Sequence, residues 1–295
     1  MTLFGKRRTG KSTAAKHIVS ILKEKIDRFM VVSGNKGAAD SWDDLVHPLY
    51  IHDMNRDCLK TLIKYQNEKL GKIRKAYKRR HGRRAKLKKI PRKMRVCVII
   101  DDCGHDASFM NSPEMMDITA NGRHYGIDLI ICCQYFNQLG TKNRNQIDYI
   151  GHLYTDNVKS TKKVYDEYVG KTCRTFNEFN YIFGICTQNV GQICWIDNTV
   201  TIGSDDPGKK IFYKSIPDPD DPQNEYRHRV GSRRVKSYAK LHSADTYDVN
   251  DEEYEKMRRM TSNYIDRNGD RLEIRKSFAS NNRYEDDNRS MCSAA

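Results

Sequence analysis

Apolar positions along the chain fall into short, nearly unbroken runs separated by longer stretches with helical spacing. Phe29–Ser33, Val96–Ile100 and Ile127–Cys133 are such runs. A run without polar alternation marks a strand covered on both faces, as in a parallel sheet. Tyr149–Tyr154 is a further candidate. Met1–Phe4 is a very short one that opens directly into a glycine loop. Such a loop normally follows a fully buried central strand, so relatives are expected to carry more chain before it. Ser12–Arg28 places Ala15, Ile18, Val19, Leu22 and Ile26 at helical spacing, and Asp57–Lys75 does the same with Leu59, Leu62, Ile63 and Leu70. Ser112-Pro113-Glu114 combines a hydroxyl cap, proline at the first helical position and an acid in the first turn. Val158–Tyr168 also reads as a helix. Tyr181–Cys186 and Gln192–Ile196 alternate around Gly191 and predict a hairpin. The sum is an α/β protein with a mainly parallel sheet flanked by helices.

After Ile202 the character changes. Asp205-Asp-Pro and Pro217-Asp-Pro-Asp-Asp-Pro222 are rich in breakers, and residues beyond about 216 are charged and poor in aliphatics. We therefore expect a domain over 1–202 and a charged, largely disordered or partner-ordered tail over 203–295. The 295 residues accommodate that division, and no internal repeats are present.

The formal charge of +15 points to a polyanionic partner, usually nucleic acid, with plain solubility as the alternative. Much of it is concentrated in Gly71–Arg95, where fourteen of twenty-five residues are Lys or Arg and none is acidic. Clustered like charges repel, and a DNA backbone is a natural partner because phosphate contacts need charge more than geometry. Only Tyr77 could stack on a base, which points to sequence-independent duplex contact. A solvated basic insertion or a nuclear-localisation signal is the other reading of the segment. The nine cysteines include no C-x-x-C pair, which argues for a reducing compartment and against a structural zinc site. No signal peptide opens the chain, and no apolar run approaches the ~18 residues of a membrane span.

Gly5-Lys6-Arg7-Arg8-Thr9-Gly10-Lys11-Ser12 fits G-x-x-x-x-G-K-[ST] at every fixed position. The glycines let successive N–H groups turn inward onto phosphate oxygens, and the following helix adds its positive end. Lys11 would reach the β- and γ-phosphates of ATP, and the Ser12 hydroxyl would take one Mg²⁺ position. The apolar run ending in Asp101-Asp102 is a Walker B pattern. Asp101 would hold Mg²⁺ through water, and Asp102 would orient or deprotonate the attacking water. Two adjacent carboxylates repel each other without a cation, which itself favours a metal.

Gln134, just past a buried run, is a candidate sensor of γ-phosphate or water; an ordinary strand-end glutamine is the alternative. Arg123 and Arg144 are each candidates to reach a neighbouring subunit's nucleotide as an arginine finger. Solvated arginines in a basic protein are the plainer reading. Asn35-Lys36-Gly-Ala-Ala-Asp40 is one residue too long for a guanine-reading N-K-x-D motif and precedes the acidic strand, so that role is rejected.

Phe4–Ser12, Val98–Asp102 and above all Asn121-Gly-Arg-His-Tyr-Gly-Ile-Asp-Leu-Ile-Ile-Cys-Cys-Gln-Tyr135 together resemble the DNA-packaging ATPases of nucleocytoplasmic large DNA viruses, a branch of the FtsK–HerA translocase superfamily. Asn143–Asn145 and Ile147–Tyr149 resemble the stretch that follows, and coverage is about residues 1–200. The resemblance implies a RecA-like P-loop core, a homo-oligomeric ring and ATP-driven movement of double-stranded DNA into a capsid. It also implies capsid or packaging-machinery partners, and a place in the host cytoplasm at viral factories and in the virion. Many superfamily members carry Asp-Glu at the Walker B end, whereas this chain has Asp101-Asp102. A different translocase or coupling ATPase of the superfamily is the runner-up. A P-loop nucleotide kinase is the rival enzyme, and a nucleic-acid-binding protein with a degenerate loop is the non-enzymatic one. The intact Lys11, Ser12 and Asp101 argue against the last.

Overall fold

A computed structural model describes residues 1–87, 89–200 and 210–217. Eight strands form one sheet: β1 (Thr2–Phe4), β2 (Arg28–Ser33), β3 (Ile51–Asp53), β4 (Val96–Asp101), β5 (Ile127–Cys133), β6 (Tyr149–Leu153), β7 (Gln192–Asp197) and β8 (Ile211–Ser215). Their order is β3-β2-β4-β5-β1-β6-β7-β8. The first six in that order run parallel, and β7 and β8 complete the sheet antiparallel. The continuous apolar runs thus occupy the doubly covered interior. Even the three-residue β1 is central, with Leu3 paired to Cys132 on one side and Gly151 on the other.

Helices cover both faces. On one face α1 (Lys11–Leu22) buries Ala14, Ala15 and Val19, and the segment around α2 (Lys36–Asp40) adds Trp42, Leu45 and Val46. The other face carries α3 (Arg56–His81), the short α4 (Ala107–Met110), α5 (Pro113–Tyr125), α6 (Thr141–Arg144), α7 (Val158–Val164) and α8 (Phe176–Cys186). A single π-helical turn, Tyr165–Val169, continues α7. Ser112 caps α5 through Met115 N–H, as its sequence predicts.

The structure corrects two expectations. Tyr181–Cys186 is helical and forms no hairpin arm. Thr175 caps α8, and Phe179, Phe183 and Cys186 turn inward at helical spacing. Apolar residues on the outer side of α8, Tyr181 and Ile185, produced the apparent alternation. Strand β7 pairs instead with β6 and β8. The sheet also extends past 202, because β8 buries Ile211 and stacks Phe212 on Trp195. The rest of the expected 203–295 tail, other than 210–217, lies outside the described residues. The helix expected over 57–75 forms and runs further into the basic segment than the spacing predicts, to His81.

Helix α3 is anchored along one stripe, Cys58, Leu59, Leu62, Gln66 and Leu70, all buried. Beyond Leu70 its basic end continues from Gly71 to His81, a span of about 16 Å at the helical rise. Gln66 is the polar member of the stripe and is fully buried. Its Nε2 donates to the carbonyls of Met94 and Tyr125, and its Oε1 accepts from Arg28. This one amide ties α3 to the end of α5 and to β2. We expect Gln66→Leu to cost about 2–4 kcal/mol, because similar volume is kept while buried polar partners lose their bonds. A urea midpoint unchanged by that substitution would contradict this role.

Candidate functional site

In a parallel sheet the carboxyl ends of the strands lie along one edge, where sites in open α/β folds form. Here that edge presents, strand by strand, Asn35 after β2, Asp101 and Asp102 at β4, Gln134 after β5, Gly5 after β1 and Tyr154 after β6.

The loop has the shape its sequence requires. The Gly5 N–H donates to the Cys133 carbonyl at 3.2 Å. A Cβ at Gly5 would lie 2.7 Å from Thr9 Oγ1 and 2.9 Å from Leu153 Cβ, so only glycine fits. Gly10 has φ +87°, a conformation that L side chains rarely adopt, and it forms the N-cap of α1 without any side-chain cap. No acid occupies the first turn of α1. The first N–H groups of a twelve-residue helix are therefore left to an external anion. Arg8 also sits in the left-handed region, at φ 63°. Thr9 Oγ1 donates to the Lys6 carbonyl at 2.8 Å, and Lys6 pairs with Asp156 at 3.1 Å. Arg7 and Arg8 are exposed on the loop.

Lys11 folds over this loop, its Nζ donating to the Lys6 carbonyl at 2.7 Å. Partial burial lowers its pKa from the usual lysine value, while Cys132, Asp101 and Asp102 pull it upward. Those three sit at the carboxyl ends of β4 and β5, so the cation lies within electrostatic reach of the acidic strand end. Ser12 follows in the first turn of α1.

Asp101 is almost fully buried at 3% exposure, and its Oδ2 accepts from Trp42 Nε1 at 2.9 Å. Asp102 is more accessible and has φ 54°. Gln134 Nε2 donates to its Oδ1 at 2.9 Å, and Asn35 Nδ2 donates to its Oδ2. Gln134 is itself set by Gln138, whose Oε1 accepts from the Gln134 and Tyr135 N–H groups. The structure thus joins Lys11, Asp101, Asp102 and Gln134 in one group.

The two arginines part company. Arg144 is largely buried. It pairs with Glu167 at 2.9 Å, donates to the Leu139 carbonyl and lies 4.7 Å from the Phe136 ring centroid. Arg123, in the last turn of α5, is 83% exposed and reaches Asp148 at 3.6 Å.

Sequence reasoning passed over Asn35 and Trp42. Asn35 had been weighed only as part of a guanine motif. Its position two residues past a buried strand, on the edge where sites form, was the available signal.

The donor set suits Mg²⁺ with a nucleotide. A hydroxyl and a carboxylate are hard oxygen ligands, and Mg²⁺ usually takes one or two carboxylates plus phosphate oxygens rather than a protein cage. Among the described residues no group of three or more His, Cys, Asp or Glu could hold a metal by itself. No helix among them is long and apolar enough to cross a membrane.

The family model described as the poxvirus A32 protein matches residues 1–201. The chain belongs to the poxvirus A32 protein family. This agrees with the resemblance read from the motifs. The A32-family chain is 25% identical over 226 residues to uncharacterized protein 075L of invertebrate iridescent virus 6, covering 75% of this chain and 78% of that one. It is 26% identical over 217 residues to uncharacterized protein 015R of frog virus 3, covering 74% and 61%. Among solved structures, ATPases 2 and 3 of EssC from Geobacillus thermodenitrificans match with a TM-score of 0.50 at 11% identity, over 89% of this chain and 44% of that one. That likeness shows a P-loop ATPase fold. The genome packaging NTPase B204 of Sulfolobus turreted icosahedral virus 2, in complex with ATP-gammaS, matches with a TM-score of 0.43 at 17% identity, over 73% and 96%.

Proposed function

We propose that this A32-family protein is an Mg²⁺-dependent ATPase that drives double-stranded DNA into capsids as a ring of subunits. The observation that carries the reading is the joining of Lys11, Asp101, Asp102 and Gln134 beside the uncapped start of α1. The loop N–H groups and Lys11 would bind the phosphates of ATP. Ser12 and Asp101 are the residues to hold Mg²⁺, which would neutralise charge on the phosphate oxygens. Trp42 fixes the plane of Asp101 for that task. Asp102 would orient water and accept its proton, and Gln134 would hold Asp102 in place. Such catalysis is positioning and charge stabilisation, as is usual for phosphoryl transfer. For the arginine finger we favour Arg123 over Arg144, because Arg144 is already committed to Glu167. We place the protein at cytoplasmic sites of virus assembly and in the virion, with capsid or packaging-machinery proteins as partners.

The basic end of α3 and the turn that follows it supply the DNA contact in this reading. Lys78, Arg79, Arg80, Arg83 and Arg84 are all exposed. Two other cations of the segment are spent internally: Arg92 pairs with Asp27 at 2.7 Å, and Arg95 makes a bidentate pair with Asp128. The test is ATP turnover with and without long duplex DNA, together with the salt dependence of DNA binding. We expect stimulation by DNA. Each phosphate neutralised contributes about −0.9 to the slope of log K against log salt. Replacing the five exposed cations together by neutral residues should flatten that slope by several units and weaken the stimulation. An unchanged slope would remove α3 from the DNA contact. Turnover only with a nucleotide acceptor would favour the kinase instead.

A further inference from the structure

One short segment, Gly34–Trp42, touches both acidic residues of the site. Trp42, its last residue, is fully buried and donates to Asp101. Asn35, its second, donates to Asp102. Its first, Gly34, lies against the acidic strand end. The Gly34 N–H donates to the Asp101 carbonyl at 3.2 Å, and a Cβ there would collide with the Asp102 carbonyl.

We propose that Gly34–Trp42 is the positioning element of the acidic pair, and that Asn35 sets the orientation of Asp102 for hydrolysis. The inference rests on the ATPase reading and deepens it.

Asn35's orientation is dictated by its own surroundings. Its Oδ1 accepts from Ala38 N–H at 2.8 Å as the N-cap of α2. With the oxygen committed to the helix, only the NH₂ group can face Asp102. The Asp102 carboxylate therefore accepts one amide donor on each oxygen, from Gln134 on Oδ1 and from Asn35 on Oδ2. Two donors on opposite oxygens stop the carboxylate from rotating. Each oxygen retains a second lone-pair direction for water. The left-handed backbone at Asp102 gives the side chain an unusual starting direction, so its aim depends on such ties. A short carboxylate held from two sides needs no reach of its own.

The test separates capping from orientation. Asn35→Ser and Asn35→Asp both keep a strong N-cap for α2. Serine is too short to reach Asp102, whereas aspartate places a second carboxylate against it. With Asn35→Ser we expect kcat to fall about 10- to 100-fold. Affinity for a non-hydrolysable ATP analogue and the thermal midpoint should stay close to wild type. With Asn35→Asp, which keeps the cap but has no amide donor for Asp102, we expect a comparable fall in kcat with analogue affinity again kept. A purely structural role would lower the thermal midpoint or the affinity together with kcat. Wild-type kcat in Asn35→Ser or in Asn35→Asp would overturn the proposal while leaving the ATPase reading intact. A wild-type protein that binds ATP but never hydrolyses it would instead overturn both.

Discussion

Lys11→Ala is expected to abolish ATP turnover, by at least about 10²–10³-fold, while leaving the fold as stable as before or more so. The functional half follows from where the ammonium sits, over the loop and within electrostatic reach of Asp101 and Asp102, at the place where phosphate charge must be met. The stability half follows from the sign of its pKa shift. Burial lowers the Lys11 pKa, so the folded protein binds this proton less tightly than the unfolded chain does. The charge therefore costs stability at neutral pH, and that cost fades only as pH rises toward the unfolded lysine value. Removing the ammonium removes the cost. Its loss also frees the Lys6 carbonyl, which Thr9 Oγ1 continues to satisfy. Turnover assayed beside a thermal melt checks both halves. Wild-type hydrolysis by a clean preparation of the variant would end the phosphate-loop assignment.

Asp102→Asn is expected to bind ATP normally and to lose turnover by about 10²–10⁴-fold. Shape is kept, but an amide cannot accept a proton from water. It also offers one acceptor where the carboxylate offered two, so Gln134 and Asn35 cannot both donate to it. One of those bonds is lost, at a cost of about 1 kcal/mol. Single-turnover hydrolysis and equilibrium binding of an ATP analogue separate the two effects. Normal hydrolysis by this variant would assign the water to another residue.

Much of this site was legible from one dimension because its chemistry is local. The glycines, lysine and serine of the loop are contiguous, and the acidic pair ends an unmistakable apolar run. Gln134 was legible because a polar residue directly after a buried strand is conspicuous. Asn35 lies two residues past β2, its partner is 67 residues away and no local pattern links them. Trp42 was hidden differently, since a buried tryptophan reads as core until its Nε1 is seen on Asp101. The α8 error came from a helix with apolar residues on its outer side as well, which blurs the two periods. Arg144 looked free because arginine in a loop of a basic protein usually is. Its pair with Glu167 depends on a fold-level contact 23 residues away.

The eight described cysteines are free, and all are buried. Burial raises the Cys58 and Cys133 thiols to about 12 and carries Cys97, Cys103 and Cys132 upward as well. Only thiolate attacks an electrophile, so in the closed protein these sulfurs are shielded twice, by access and by protonation. The spread of these five over α3, β4, the turn after β4, and β5 makes them native reporters of breathing. A thiol-specific reagent would sense a strand or helix only when it parts from its neighbours. The chain thus carries its own chemical clock for local opening, with no label to engineer.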